Sequence, residues 1–232
     1  MNNIKLKTSK IDTISSNSVK KIGVLGSGLM GHGIAYVTAL AKIEVVLVDI
    51  NQKIADTGMD RIKAILKNDL EKGIIKKSEL KSIQNRIIAT DDYSKLDYCD
   101  IIIEAVFEDS ELKGKVTRMA EPHLTQNGIF ASNTSTIPIT ILSENSSKAE
   151  NFIGLHFFSP VHKMKLVEII KSEKTSSYTL NKSYEFVKKI KKIPIVVNDN
   201  PGFYTTRVFE KYVCEGMALL YEGVKASTID EC

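Results

Sequence analysis

A short apolar run at residues 21–25 (KIGVL) leads into GSGLMG, with glycines at 26, 28 and 31. An Ala-rich segment of helical character follows over residues 30–42. A strand, a glycine turn and a helix in that order leave few folds open. The first glycine permits the tight turn, the second lets a pyrophosphate approach the backbone, and the third lets helix and strand pack closely. Free N–H groups and the positive dipole end at the helix start favour an anion. The next apolar run, residues 44–48 (EVVLV), ends at Asp49, about 20 residues past the glycines, where a ribose-binding acid belongs. Its carboxylate accepts hydrogen bonds from ribose hydroxyls and repels a 2′-phosphate. Ile50, Asn51 and Gln52 bring no arginine to hold such a phosphate. The pattern favours NAD over NADP. Helix capping is the structural alternative for Asp49, and the two roles are compatible.

The rest of the chain repeats the alternation. Residues 53–72 place Ile54, Ile62, Ile65, Leu66 and Leu70 at helical spacing. Residues 101–106 (IIIEAV) form a strand, 110–124 a charged helix and 128–132 (GIFAS) a strand. Residues 151–158 and 165–170 are two further β-rich runs. Residues 176–192 give an amphipathic helix with Leu180, Tyr184, Val187 and Ile190 on one side and Lys188, Lys189, Lys191 and Lys192 on a solvated face. Residues 194–197 (PIVV) are the last strand. Pro201 then opens a helix, an early position that suits proline, and no stop follows before Cys232. Strands alternating with helices imply an α/β fold: a doubly wound, mostly parallel sheet covered on both faces.

Composition sets limits. The 232 residues suffice for one large α/β domain and part of a second. A formal charge of +4 does not indicate nucleic-acid binding, though it suits an anionic substrate. The three cysteines are scattered, with no CxxC or Cys/His cluster, so neither a disulfide framework nor a metal site is supported and a reducing, cytoplasmic setting is the default. No apolar run has the length of a membrane span. Residues 1–19 are polar, lack the continuous apolar segment of a secretory signal, and read as a flexible lead-in. Their lysines without arginine leave a mitochondrial transit peptide as a weaker alternative.

The chemistry gathers at strand ends, where ligands sit in doubly wound sheets. Val106, Phe107 and Glu108 close IIIEAVFE, and Glu108 and Lys113 are candidates for the nicotinamide-side ribose and phosphate. Ser132, Asn133, Thr134 and Ser135 form a polar cluster suited to orienting a hydroxyl, or a plain turn. His156 ends FIGLHFF and Glu168 sits within KLVEII, with Ser159, Pro160 and Val161 in the turn between them. If the two runs lie side by side, imidazole meets carboxylate. The pair is then either a general base tuned to neutral pH or a partly buried histidine beside a structural ion pair. In NDNPGFYTTR, Thr206 faces back toward the cleft. Two Tyr-x-x-x-Lys matches, Tyr178/Lys182 and Tyr184/Lys188, lie on the lysine-rich helix and are set aside.

Six segments in this order, GSGLMGHGIA, VVLVDIN, IIIEAVFED, ASNTSTIPI, GLHFFSPVHKMKLVEII and NDNPGFYTTR, resemble the NAD-binding domain of 3-hydroxyacyl-CoA dehydrogenases. The resemblance covers about residues 20–231 and is strongest to the dehydrogenase part of multifunctional fatty-acid oxidation proteins. It implies a Rossmann-type domain over 20–199 and, over 200–232, the first helix of an incomplete all-α C-terminal domain. It implies NAD as cofactor, with contacts from Gly26, Gly28, Leu29, Met30, Gly31, Asp49, Val106, Glu108, Lys113, Ser135 and Ser159. It implies His156 as catalytic base, Glu168 as its partner, and Ser135 and Thr206 toward the substrate. Ser159 and Thr206 stand where many members carry Asn, so their reach is shorter. The implied reaction is NAD-dependent oxidation of a (3S)-3-hydroxyacyl-CoA to the 3-oxoacyl-CoA in β-oxidation. Full-length relatives are expected to be homo-oligomers or parts of a multifunctional complex, in the mitochondrial matrix or peroxisome if the source is eukaryotic. Two other readings remain at this stage. One is a truncated NAD-binding fragment with little turnover. The other is a related β-hydroxyacid dehydrogenase, which shares GxGxMG but uses a catalytic lysine and lacks the HFFSPVHKMKLVE block.

Overall fold

A computed structural model describes residues 19–231. The lead-in read over residues 1–19 lies outside the described residues except for Val19, which is buried in the core; Cys232 lies outside them too. Among the described residues the strands are β1 (Lys21–Leu25), β2 (Glu44–Val48), β3 (Ile87–Thr90), β4 (Cys99–Glu104), β5 (Leu124–Ser132), β6 (Phe152–Phe157), β7 (Leu166–Lys171) and β8 (Ile193–Asn198). They form one sheet in the order β3-β2-β1-β4-β5-β6-β7-β8. All neighbours run parallel except β6 and β7. The first six positions give the doubly wound order, with its reversal between β1 and β4.

The helices are α1 (Gly31–Leu40), α2 (Gln52–Glu71), α3 (Lys77–Gln84), α4 (Ser110–Ala120), α5 (Ile139–Ser143), α6 (Ser177–Lys189), α7 (Thr205–Tyr221) and α8 (Ala226–Glu231). The central strands are runs of Val, Ile and Leu because they are covered on both faces. On one face Ile34 of α1, Ile62 and Leu66 of α2, and Phe186 and Val187 of α6 join the core. On the other, Val116 and Ala120 of α4 and Ile139 and Leu142 of α5 pack with Phe130 and Phe152, whose rings stack 5.5 Å apart.

Several boundaries differ from the sequence reading. β4 stops at Glu104, short of Val106, because the Glu104 carboxylate turns back to accept the Val106 N–H at 2.7 Å. α4 stops at Ala120, since Pro122 lies in a 3-10 turn that feeds β5 already at Leu124. α6 ends at Lys189, and Lys192 is not on a solvated helix face. Its ammonium donates to the carbonyls of Val161 and Met164 and pins the loop between β6 and β7. The last helix starts at Thr205 rather than Pro201, after a turn in which Phe203 is buried. It also has a stop: α7 ends before Gly223, whose φ of +93° breaks the helix, and α8 follows. The reading had no counterpart for α3, β3 or α5, which are short and weakly patterned. None of the residues of α7 or α8 is buried, and Val208, Phe209, Tyr212, Val213 and Met217 of α7 are exposed. Among the described residues no helix is long and apolar enough to cross a membrane.

The junction of β1 and α1 is tight at one glycine and open at another. A Cβ on Gly31 would lie 1.7 Å from the Gly26 carbonyl oxygen, whereas one on Gly28 would meet nothing within 4 Å. Gly31→Ala should therefore lower stability in urea denaturation by about 1–3 kcal/mol. Gly28→Ala should leave it within about 0.5 kcal/mol.

Candidate active site

The glycine turn lies where β1 hands over to α1. Gly26 takes a φ of +92°, and its N–H donates to Val48 at 2.8 Å, which ties the turn to the end of β2. Asp49 follows directly. Its Oδ2 accepts from the Ser27 N–H (2.6 Å) and hydroxyl (2.7 Å), and its Oδ1 from the Ile50 N–H (2.8 Å). Each carboxylate oxygen accepts two bonds, so Oδ1 retains capacity for a ribose hydroxyl. No side chain caps α1, so its first-turn N–H groups lack a side-chain acceptor. Gly28 and Leu29 are exposed beside them and Met30 is half-buried against the core. The Arg61 guanidinium approaches from α2 and donates to the Ser27 carbonyl at 3.3 Å.

At the ends of β4 and β5 the charges are inside. Glu104 is fully buried and Lys113 is 1% exposed. The Lys113 ammonium donates to both Glu104 oxygens (2.9 and 3.1 Å) and lies 3.2 Å from Glu108 Oε2. Glu108 Oε1 accepts from the Thr134 hydroxyl (2.6 Å) and the N–H groups of Ser135 (2.9 Å) and Thr136 (3.2 Å). Burial pushes the Glu108 carboxyl up, but the Thr134 hydroxyl, the Lys113 ammonium and the Ser135 N–H outweigh it and hold it at about 2. Val106 and Ser135 are half-buried at the cleft.

The antiparallel pairing of β6 and β7 places His156 opposite Glu168. His156 Nδ1 lies 2.9 Å from Glu168 Oε2, with the histidine side chain 9% exposed and the carboxylate wholly buried. Oε2 also accepts from the Thr205 hydroxyl (2.6 Å), and Oε1 from the N–H groups of Tyr204 and Thr205 (2.9 Å each). Burial raises the Glu168 carboxyl, but His156 and these donors bring it below its ordinary value. An ionised Glu168 accepts a hydrogen bond from Nδ1–H and leaves the Nε2 lone pair free. Nε2 has no hydrogen-bond partner among the described residues and is not sealed from solvent. The Phe158 ring lies 4.5 Å from the imidazole and that of Phe203 6.3 Å. The pair can therefore abstract a proton from a molecule entering the cleft.

Of the other residues singled out by sequence, Thr206 comes to the same end of the sheet, its hydroxyl 3.3 Å from the Ser135 carbonyl oxygen. Ser159 lies exposed in the loop after β6. Tyr178 and Lys182 both donate to the Asn127 carbonyl, toward the opposite end of β5 from Ser132, away from this cleft. Three residues escaped the sequence reading as site parts. Ser27 supports Asp49 and Thr205 holds Glu168. The third, Glu104, carried a signal: one acid inside the apolar run IIIEAV.

Residues 21–200 match the family described as 3-hydroxyacyl-CoA dehydrogenase, NAD binding domain. The chain is 41% identical over 228 residues to the fatty acid oxidation complex subunit alpha of Idiomarina loihiensis, a match that takes in 98% of this chain and 32% of that protein. It thus spans about a third of the length of that curated relative. Among solved structures it is similar to (S)-3-hydroxybutyryl-CoA dehydrogenase from Ralstonia eutropha, with 36% identity and a TM-score of 0.86 over 90% of this chain and 74% of that one. It is also similar to 3-hydroxybutyryl-CoA dehydrogenase from Escherichia coli, with 31% identity and a TM-score of 0.85 over 90% of this chain and 44% of that one.

The bonds on Glu108 give a pH dependence with a fixed sign. A carboxyl lowered from 4.5 to about 2 adds stability that is present above pH 4.5 and lost as pH falls toward 2. Because the side chain is 37% exposed, the effect should be modest. The urea midpoint of Glu108→Gln should lie below wild type at neutral pH, and the gap should close across that window.

Proposed function

The chain belongs to the 3-hydroxyacyl-CoA dehydrogenase family, whose NAD-binding domain it carries, and on that premise we propose that it serves NAD-dependent oxidation of a (3S)-3-hydroxyacyl-CoA to the 3-oxoacyl-CoA, with His156 as general base. One observation carries the reading. A buried carboxylate holds the His156 imidazole at 2.9 Å through Nδ1, and His156 sits near the end of β6 on the edge of the sheet where the glycine turn lies. The (3S) hand follows the name of the Ralstonia eutropha relative, and a place in fatty-acid oxidation follows that of the Idiomarina loihiensis relative.

The residues present fit the cofactor. Gly28 leaves open the space that a Cβ would take, α1 has no side-chain cap, and Asp49 keeps acceptor capacity for ribose. Gly26, Gly28, Leu29, Met30 and Gly31 would hold the pyrophosphate and Asp49 the adenosine ribose. Val106, Glu108, Ser135 and Ser159 would line the nicotinamide end, with the buried Lys113 behind them holding Glu108. When bound, NAD supplies the hydride acceptor. His156 Nε2 takes the proton of the C3 hydroxyl, which Ser135 and Thr206 orient. Glu168 fixes the tautomer and stabilises the imidazolium that forms.

The exposed apolar residues of α7 favour a second reading for the isolated chain, in which it binds NAD but turns over slowly. In that case the substrate cleft is completed by further structure, in a multifunctional or oligomeric assembly. NADH oxidation with acetoacetyl-CoA separates the two: oxidation supports the enzyme reading, and NADH binding without oxidation supports the second.

His156→Ala should lower turnover by about 10²–10⁴ while NADH binding, read by fluorescence titration, persists; normal turnover in this variant would sink the assignment. The second outcome concerns the CoA moiety. Arg61, Lys63 and Lys67 lie on α2 and Lys72 caps its end, with Lys63 about half exposed beside Asp60, and we assign this basic helix to the CoA phosphates, with Arg61 and Lys63 as the pair to test. Reversing both charges should raise the substrate KM about threefold or more with little change in kcat, and an unchanged KM would count against the assignment.

A further inference from the structure

Glu104 is a wholly buried carboxylate that closes β4 after three isoleucines, and no chemical step above uses it. Burying a carboxylate with an ammonium seldom gains stability over an apolar pair of the same volume. Such a pair is tolerated when every lone pair is satisfied, and here all are engaged. Oε1 accepts from the Val106 N–H (2.7 Å) and the Lys113 ammonium (2.9 Å). Oε2 accepts from the Ser132 hydroxyl (2.7 Å) and again from Lys113 (3.1 Å).

These bonds lead to one half of the cleft. Val106 is held directly, and Lys113 passes the link to Glu108 at 3.2 Å, which gathers Thr134 and Ser135. The Glu104 carbonyl accepts the Asn133 N–H at 2.8 Å, and Asn133 Oδ1 accepts the Phe157 N–H at 2.8 Å, next to His156. The adenosine half is built otherwise, from the glycine turn, Ser27 and Asp49, and none of those side chains bonds to Glu104.

We propose that Glu104 is a positioning residue for the nicotinamide end of the cofactor site, acting through Lys113, Ser132 and Val106. The proposal rests on the reading above that NAD lies across the ends of β1, β4 and β5. It makes Glu104 selective: its loss should loosen one end of the dinucleotide and spare the other.

The test is calorimetric titration of the 232-residue chain with NADH and with ADP, which carries the adenosine and pyrophosphate alone. Glu104→Gln keeps the shape and two of the acceptors but removes the counter-charge of Lys113. It should weaken NADH about tenfold or more and leave ADP nearly unchanged. Should that variant fail to fold, Ser132→Ala decides, since it removes one bond without stranding a buried charge. It should show a smaller loss in the same direction, again for NADH only. A merely structural Glu104 would change NADH and ADP alike, or neither, and either result overturns the proposal. A wild-type chain that binds ADP but gains nothing from the nicotinamide half overturns the cofactor reading itself.

Discussion

The Glu168 carboxylate accepts four hydrogen bonds from two segments far apart in sequence: one from His156 on β6, and three from Tyr204 and Thr205 at the head of α7. A wholly buried anion is stable only when its lone pairs are filled. The bond network therefore locks the orientation of the imidazole and the docking of α7 together. It exists because β7 runs against β6 in a sheet that is otherwise parallel. That reversal makes the two residues direct cross-strand neighbours, with side chains on the same face.

A second buried carboxylate, Glu104, lies three strands away on β4 with its lone pairs likewise filled. Both sit at or near the end of their strands facing the cleft, and both draw donors from a neighbouring strand, Ser132 of β5 or His156 of β6, and from a helix or its head, Lys113 of α4 or Tyr204 and Thr205 at α7. The apolar layers beneath, with Phe130 on Phe152 and Ile34, Ile62 and Phe186 on the other face, supply the rigid support. The doubly wound order delivers the glycine turn, the Glu108 loop and His156 to one edge, because parallel strands all point the same way. Loops at that edge are then cross-tied: Lys192 to the carbonyls of Val161 and Met164, and Asn133 to Phe157.

The glycine turn, Asp49 and the run of buried strands were legible from order and spacing, since each obeys a local rule of turn geometry or two-sided burial. The His156–Glu168 pair was legible as an alternative between a base and a structural ion pair. Short elements were not legible: α3 buries only Ile83, and β3 has four residues. The start of α7 was misplaced because Pro201 suits a helix entry, while the observed turn at residues 201–204 serves to bury Phe203 and to present two N–H groups to Glu168.

By itself the sequence determined the kind of sheet, the position of the glycine turn and the chemical types available at the strand ends, because these follow from patterns within a few residues. The tertiary structure alone decided which carboxylates are buried, which donors fill them and which lysines serve as internal ties. Along the chain Lys113 reads as a cofactor contact and Lys192 as part of a solvated face, yet one is buried against Glu104 and the other holds a loop. Burial of a charge depends on partners supplied by segments distant in sequence, and no local pattern encodes those partners.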